Sequence, residues 1–303
     1  MPSNNVEELN DKFGIPDNLV FETDSDGLIY CLINNESSIA RIFLHGSQIT
    51  DFIKMGTDPA LFLSEQSQFK KGKAIRGGIP ISWPWFADHP IERDFPAHGF
   101  ARTSEWNIIK TSQIDPDTTR IITELKDTED NWKFFPYKFI LNAIFTVGEK
   151  LELELITKNK DTKEFTFTSA LHSYYNVGNT ADVDIAGLEN KEYIDKVDNY
   201  SIKHQEGELI TNSETDRIYL NTESECIIND PGFKRGIRIK KEGSATTIIW
   251  NPWADKAKAT NDLGDQDYNR FICVETANVG DDSITLLPGL THSLKAIISV
   301  ENL

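Results

Sequence analysis

The chain has 303 residues, of which 39% are hydrophobic and 10% are aromatic, so it carries enough apolar surface for a large core. Extended disorder and fibrous repeats are excluded. It contains 31 basic and 48 acidic residues, and a net charge of −17 opposes binding to phosphate backbones and to anionic lipid. We therefore expect neither nucleic acid nor a membrane as a partner, and a few local basic side chains must hold any anionic ligand.

The N-terminal residues predict one short helix, at about residues 4–13. Val6, Leu9 and Phe13 share one helical face, and Gly14 ends the pattern. The start of the chain has neither the basic nor the apolar region of a signal peptide, and no stretch approaches the roughly 18 apolar residues of a membrane span. The three cysteines are widely spaced and form no C-x-x-C pair, which does not suggest a disulfide framework. We therefore expect a cytoplasmic location.

Most of the remaining chain alternates apolar and polar residues with a period of two, which is typical of β-strands. Residues 139–146 and 151–155 predict a hairpin with a turn at 147–150. Further short strands are predicted at 41–43, 120–125, 164–172, 237–240, 246–250, 271–276 and 294–300. No long linker, like-charge block or internal repeat interrupts them. We therefore predict one all-β domain over residues 1–303, a large antiparallel β-sandwich that acts as a monomer.

The first segment with unexpected chemistry is residues 76–86, with the sequence RGGIPISWPWF. Two glycines and two prolines favour an irregular backbone, and three aromatic side chains exceed what an exposed loop needs. One interpretation is a ligand wall in which Arg76 reaches an anion. The alternative is a buried corner in which Arg76 binds backbone carbonyl groups.

The second segment is residues 96–102, where His98 precedes Gly99 and Arg102 follows. The glycine indicates that backbone or ligand approaches closely. A single structural hydrogen bond would explain an isolated histidine equally well.

The third segment is residues 165–175. As a strand, it would place Phe165, Phe167 and Leu171 on one face. The opposite face would carry small and polar side chains and end at His172. That polar face predicts either a cleft lining or a solvated sheet surface.

A fourth segment places Glu275 on the same strand face as Phe271 and Cys273. Because burial of an unpaired carboxylate is costly, this predicts either a salt bridge at the strand end or a tuned acid–base group. A metal site is disfavoured, since the histidines and the glutamate lack close spacing. A serine-hydrolase triad is also disfavoured, since the sequence has no G-x-S-x-G motif.

These segments, in this order, resemble the aldose 1-epimerase superfamily, and within it the hexose-6-phosphate mutarotase branch. The similar runs are residues 76–80, 83–86, 98–102 with Trp106, 172–175, 216–219, 250–253 and 273–275. The resemblance spans roughly residues 30–300.

The resemblance implies a galactose-mutarotase-like β-sandwich with no metal or organic cofactor and an aldohexose 6-phosphate, most simply glucose 6-phosphate, as its small-molecule partner. The residue matching Glu275 is then the general base, and the residue matching His172 is the general acid. Arg76 and Arg102 match arginines associated with the phosphate.

Two further substrate-binding residues are implied by the same resemblance. His98 matches a histidine in the sugar site, and Asp216 matches a hydroxyl-binding residue. Ala97 departs from the pattern, because some relatives have glutamine there, and a contact made by that side chain would be missing.

Two alternatives to a sugar-phosphate isomerase stay open. One is an aldose 1-epimerase acting on free sugars, which is favoured if Arg76 and Arg102 are engaged in structural ion pairs. The other is a non-catalytic carbohydrate-binding sandwich, for which the acid–base pair would have no use.

Overall fold

The computed structural model describes residues 5–303. Within these residues there are three short α-helices: α1 (Val6–Phe13), α2 (Glu129–Trp132) and α3 (Trp253–Lys258). The strands are β1 (Leu19–Thr23), β2 (Ile29–Asn34), β3 (Ser38–Phe43), β4 (Gln48–Lys54), β5 (Ile81–Ser82), β6 (Asn107–Asp115), β7 (Thr118–Lys126), β8 (Phe139–Val147), β9 (Lys150–Asn159), β10 (Phe165–Phe167), β11 (Ser169–Leu171), β12 (Tyr174–Asn176), β13 (Asp184–Ala186), β14 (Glu192–Asp195), β15 (Ser201–His204), β16 (Leu209–Ile210), β17 (Thr215–Tyr219), β18 (Cys226–Asp230), β19 (Arg235–Glu242), β20 (Thr246–Asn251), β21 (Phe271–Asn278), β22 (Ile284–Leu286) and β23 (Thr291–Asn302).

Helix α1 agrees with the predicted helix, except that residue 4 lies outside the described residues. The side chain of Asn5 caps the first turn by accepting a hydrogen bond from the backbone N–H of Glu7. Gly14 ends the helix with a φ of −63°, so no left-handed turn is involved. A Cβ atom at Gly14 would lie 2.5 Å from the carbonyl oxygen of Asn10, and this close approach is the reason for glycine there.

Two large antiparallel sheets dominate the fold, as the period-two pattern predicts. One has nine strands in the order β16-β13-β18-β19-β23-β9-β8-β7-β6. The other has eight, in the order β15-β14-β17-β20-β21-β11-β5, with β12 also pairing with β21. Strands β1–β4 form a separate four-stranded meander, and β10 pairs with β22. The predicted hairpin is confirmed as β8 and β9, which pair from Phe139↔Asn159 to Val147↔Leu151.

The main hydrophobic core lies between these two sheets. Val274 of β21 and Ile249 of β20 point into it from the eight-stranded sheet, and Leu153 of β9 and Ile298 of β23 from the nine-stranded sheet. Since side chains alternate along a strand, the neighbours of Val274 point to the opposite face. That outer face of the eight-stranded sheet is where the polar side chains collect.

The predicted continuous strand at residues 164–172 is wrong, because the chain changes sheets at Thr168. Strand β10 pairs with β22, whereas β11 pairs with β21 and β5. At the break, the Thr168 N–H donates to the carbonyl of Pro84, and its hydroxyl accepts from the N–H of Phe86. These bonds satisfy backbone groups that a continuous ladder would have paired.

No helix within residues 5–303 is both long enough and apolar enough to cross a membrane.

Candidate active site

A pocket of about 580 Å³ opens on the outer face of the eight-stranded sheet. All six side chains singled out in the sequence line it: Arg76, His98, Arg102, His172, Asp216 and Glu275. Its size lies within the usual range for small-molecule sites. Residues separated by up to 199 positions in the chain are thereby brought to one place.

Strand register explains why the sheet contributes these particular residues. Glu275 pairs with Ile248 across β20 and β21, and Asp216 pairs with Trp250 across β17 and β20. Paired residues share a face of the sheet, so their side chains point outward together. His172 directly follows β11 and returns to this face after the inward-pointing Leu171.

His172 and Glu275 form the buried centre of the pocket. Nδ1 of His172 lies 3.4 Å from Oε1 of Glu275, and these side chains are 8% and 1% exposed. His172 Nδ1 and Glu275 Oε2 have no hydrogen-bond partner among the described residues, and no lysine or arginine there forms an ion pair with the carboxylate. Glu275 is the fifth residue of the eight in β21, so a salt bridge at a strand end is ruled out.

The surroundings move the pKa values of these two groups in opposite directions. Burial, followed by the charge of Asp216, raises the pKa of Glu275 well above its ordinary value of 4.5. Burial, together with the nearby Arg102 and Arg76, lowers the pKa of His172 well below 6.5. The carboxyl group is therefore less acidic than usual and the imidazole less basic, because burial opposes a charge on either group.

His98 sits beside His172, with ring centroids 5.6 Å apart. Its Nδ1 accepts a hydrogen bond from the backbone N–H of Ala87 at 3.4 Å and lies 3.3 Å from the hydroxyl of Ser82. Burial lowers the pKa of His98, so the ring is neutral and its proton is on Nε2. His98 therefore offers a hydrogen-bond donor rather than a charge.

The expected close approach at Gly99 is made by backbone. Gly99 has a φ of +73°, and a Cβ atom there would lie 2.0 Å from the carbonyl oxygen of Trp83. The chain must pass this close so that His98 and Arg102 reach the pocket from the loop between β5 and β6.

Arg102 is a cation without an acidic partner. Its NH2 group donates to the carbonyl of Ala97 at 2.8 Å, its buried Nε has no partner, and no carboxylate among residues 5–303 pairs with it. Burial and the neighbouring Arg76 lower the pKa of Arg102 to about 10, so it stays charged at neutral pH. An anion bound here would relieve the cost of this buried charge.

Arg76 lines the pocket but is tied to other side chains. Its Nε and NH2 groups donate to both oxygens of Asp262 at 3.1 and 3.2 Å, and its NH1 donates to the hydroxyl of Tyr174 at 3.0 Å. Arg76 is therefore engaged in an ion pair, whereas Arg102 is not.

Asp216 is also paired. Its carboxylate lies 2.9 Å from Nζ of Lys196, and the N–H of Lys196 donates to the Asp216 carbonyl. This pair lies at the side of the pocket next to Glu275, where the negative charge of Asp216 acts on the buried carboxyl group.

The aromatic wall predicted for residues 83–86 is only partly correct. Trp83 and Trp85 are 0% and 6% exposed and belong to the main core, as expected for a buried corner. Phe86 does line the pocket, and its ring contacts His98 edge to face at 4.8 Å. The indole rings of Trp83 and Trp85 therefore pack in the core, and of the three aromatic side chains only Phe86 faces the pocket.

His172, Cys273 and Glu275 could hold a metal ion, since one donor atom of each lies within 4.8 Å of the others. A zinc ion with bonds of about 2.0–2.3 Å would take the lone pairs of both His172 and Glu275. These groups would then no longer be available to carry protons. The absence of a metal cofactor stays a prediction.

Among the pocket residues that were not predicted are Lys196, Tyr200 and Trp250. Trp250 is part of a motif that carries the resemblance, and its ring approaches His172 at 5.8 Å. Lys196 and Tyr200 lie in the β14–β15 turn and have no local pattern that separates them from ordinary surface residues. Tyr200 follows an asparagine in a turn, and its unusual backbone is visible only in the structure.

Comparison with known proteins shows which family this chain is similar to. Residues 29–299 match the family model described as Aldose 1-epimerase. A protein of Escherichia coli K12 named "Putative glucose-6-phosphate 1-epimerase" is 36% identical over 253 residues, which cover 83% of this chain and 84% of that protein. A protein of the same name from Cenchrus ciliaris is 35% identical over 259 residues, covering 82% and 78% of the two chains.

A crystal structure from Salmonella typhimurium, described as a "putative mutarotase", superposes with a TM-score of 0.90 and 31% identity, covering 96% of both chains. This confirms the predicted sandwich of the galactose-mutarotase-like type. With a family match over most of its length and relatives more than one-third identical, this chain belongs to the aldose 1-epimerase family.

Proposed function

We propose that this protein interconverts the α and β anomers of an aldohexose 6-phosphate, most simply glucose 6-phosphate. Family membership and the names of the relatives support the reaction and the substrate class. In this proposal Glu275 and His172 carry the protons, Arg102 binds the phosphate, and His98 and Asp216 contact the sugar.

The reaction needs two proton transfers, which the central pair can supply. Glu275 takes the proton of the C1 hydroxyl while His172 delivers one to the ring oxygen, and the ring opens to an aldehyde. After rotation about the C1–C2 bond, closure on the other carbonyl face reverses both transfers. Because the second pair of transfers reverses the first, Glu275 and His172 regain their starting protonation states at the end of each cycle.

His98 fits the role of a neutral donor in this cycle. The proton on its Nε2 can hydrogen-bond to a substrate oxygen on which negative charge develops. Since only proton transfers occur, we propose that no organic cofactor is needed. We also propose a monomer as the active unit.

The observation that carries the phosphate assignment is the unpaired guanidinium of Arg102. Within an acidic molecule, a partly buried cation that lacks a carboxylate partner in the described residues is costly unless an anion joins it. A planar guanidinium suits a phosphate, to which it can donate two parallel hydrogen bonds.

The ion pair of Arg76 with Asp262 favours a second candidate, a free-sugar aldose 1-epimerase. If Arg76 stays bound to Asp262, a single arginine remains for the phosphate. The acid–base chemistry would be the same, and the substrate alone would differ.

The test is NMR exchange spectroscopy at anomeric equilibrium, with glucose 6-phosphate, glucose and galactose in parallel. We expect selective acceleration of the sugar phosphate. In Arg102→Met, KM for glucose 6-phosphate should rise about 10- to 100-fold, since a hydrogen bond to a charged group contributes about 1.5–3 kcal/mol. Arg120→Met, at an exposed arginine outside the pocket, is the matched control.

Equal acceleration of free glucose or galactose would favour the second candidate. If no sugar exchanges faster than in buffer, the catalytic proposal fails, and a carbohydrate-binding module becomes the better explanation.

A further inference from the structure

The turn between β14 and β15 places an aromatic side chain at the mouth of the pocket. Tyr200 is 65% exposed, yet it lines the pocket together with Phe86 and Lys196. An exposed tyrosine with open pocket space beside it has free ring surface for a ligand.

The backbone of this turn is unfavourable for a tyrosine. The N–H of Ser201 donates to the carbonyl of Asp198, and the two enclosed residues, Asn199 and Tyr200, have φ of 50° and 60°. Turns with two positive φ values favour glycine at the second central position. Asparagine tolerates this region, whereas a tyrosine there is strained because of its Cβ atom.

Strain of this kind recurs around the same pocket. Ala87 and His98, which also line it, have φ of 59° and 63°. Backbone strain in non-glycine residues concentrates at functional sites, where a side chain is required despite its conformational cost. The ring of Tyr200 is 65% exposed, and among the described residues it makes no aromatic contact and its hydroxyl makes no side-chain hydrogen bond.

We propose that Tyr200 is a substrate-positioning residue whose ring packs on the apolar C–H face of the bound sugar at the pocket mouth. The proposal rests on the sugar-phosphate function above. Phe86 and Trp250 also line the pocket, and Tyr200, which is 65% exposed, adds aromatic surface on the solvent side. Because the ring lies away from the buried His172–Glu275 pair, it contacts the sugar equally in the ground state and in the transition state.

The decisive variant is Tyr200→Gly, since glycine removes the ring and relieves the backbone strain together. We expect a melting temperature equal to or above that of the wild type. KM for glucose 6-phosphate should rise about five- to tenfold, and kcat should change by less than about twofold. Tyr200→Phe should keep KM within about twofold of the wild-type value, because the ring rather than the hydroxyl makes the contact.

Two control variants lie in the same hairpin. Asn199→Gly changes the other positive-φ residue, and Ile202→Ala removes a side chain that is 73% exposed; neither residue lines the pocket. Both should leave KM unchanged. Binding of glucose 6-phosphate, followed by intrinsic tryptophan fluorescence, gives a readout that does not depend on turnover. Trp250, in the pocket, is one of the six tryptophans that contribute to this signal.

An unchanged KM and affinity in Tyr200→Gly would overturn the inference while leaving the isomerase proposal intact. A rise in KM that is equally large in Asn199→Gly would also overturn it, because the turn conformation rather than the ring would then be responsible. If the wild-type protein neither binds glucose 6-phosphate nor accelerates its exchange, the proposed function fails before the variants are compared.

Discussion

At the scale of single residues, the site depends on two titratable groups buried side by side without other partners. Glu275 and His172 face each other at 3.4 Å, and no lysine or arginine within residues 5–303 contacts the carboxylate directly. Such an arrangement is unfavourable for a purely structural pair, because unpartnered buried polar atoms cost free energy. It is well suited to groups that exchange protons with a ligand.

We expect Glu275→Gln and His172→Asn each to lower kcat by about 10²–10⁴, the usual contribution of a positioned acid or base. The double variant should be little slower than the slower single variant, since the two groups act as a unit. Anomer exchange of glucose 6-phosphate measures both effects. Full activity in either single variant would contradict the assignment of protons to this pair.

Glu275 should also make the fold less stable at high pH. Its pKa is raised in the folded protein, so its favourable contribution is present below about pH 4.5 and is lost as the pH rises through the raised value. At pH 8, Glu275→Gln should therefore have a higher melting temperature than the wild type, with a free energy of unfolding larger by about 1.4 kcal/mol for each unit by which the pKa is raised. Near pH 4.5 the two proteins should melt at similar temperatures.

Scanning calorimetry at the two pH values measures this difference. Glu164→Gln, at an exposed position, should change neither melting temperature. A Glu275→Gln variant that melts below the wild type at pH 8 would show that the carboxylate is stabilised by interactions not evident in the structure.

Asp216 should influence the pH dependence of catalysis through Glu275. Its negative charge opposes ionisation of that carboxyl group, so Asp216→Asn should lower the pKa of Glu275 and move the acidic limb of the kcat/KM profile to lower pH. The release of Lys196 from its partner acts in the same direction. A higher KM with an unmoved acidic limb would instead indicate that Asp216 only binds substrate.

At the scale of elements, the loop from β5 to β6 depends on one close backbone contact. A Cβ atom at Gly99 would meet the carbonyl group of Trp83 at 2.0 and 2.3 Å, and His98 and Arg102 of the same loop reach the pocket. Since backbone atoms cannot rotate away, the loop has to move to accept any side chain.

Gly99→Ala should therefore lower the free energy of unfolding by about 3 kcal/mol or more, through steric overlap and the positive φ. Gly56→Ala is the matched control: its φ is +78°, but no atom lies within 4 Å of the added methyl group. The control should lose only about 1 kcal/mol. Urea denaturation compares the two, and equal losses would refute the steric explanation.

At the scale of the whole molecule, one hydrophobic cluster connects the two large sheets and extends from Leu19 to Val300. This continuity supports the prediction of a single domain over residues 1–303. We expect one calorimetric transition, whose van't Hoff and calorimetric enthalpies agree. Two resolved transitions would divide the chain into separate folding units.

Much of the architecture could be predicted from the sequence because alternation with period two is a local property. The hairpin of β8 and β9 and the strands around Ile249 and Glu275 follow from it directly. The break at Thr168 could not be predicted, since the alternation of apolar residues continues across a point where hydrogen-bond partners change.

By itself, the sequence determined which residues carry unusual chemistry: a carboxylate in an apolar strand, a histidine at the end of a polar face, and arginines beside glycine-rich turns. Only the tertiary structure decided which of them meet and which are already paired. Arg76 and Arg102 look alike in sequence, but Asp262 lies 186 residues after Arg76 and pairs with it, whereas Arg102 has no carboxylate partner among residues 5–303. The positive φ of Tyr200 likewise shows only in the backbone of the turn that joins β14 and β15, because the residue type does not encode it.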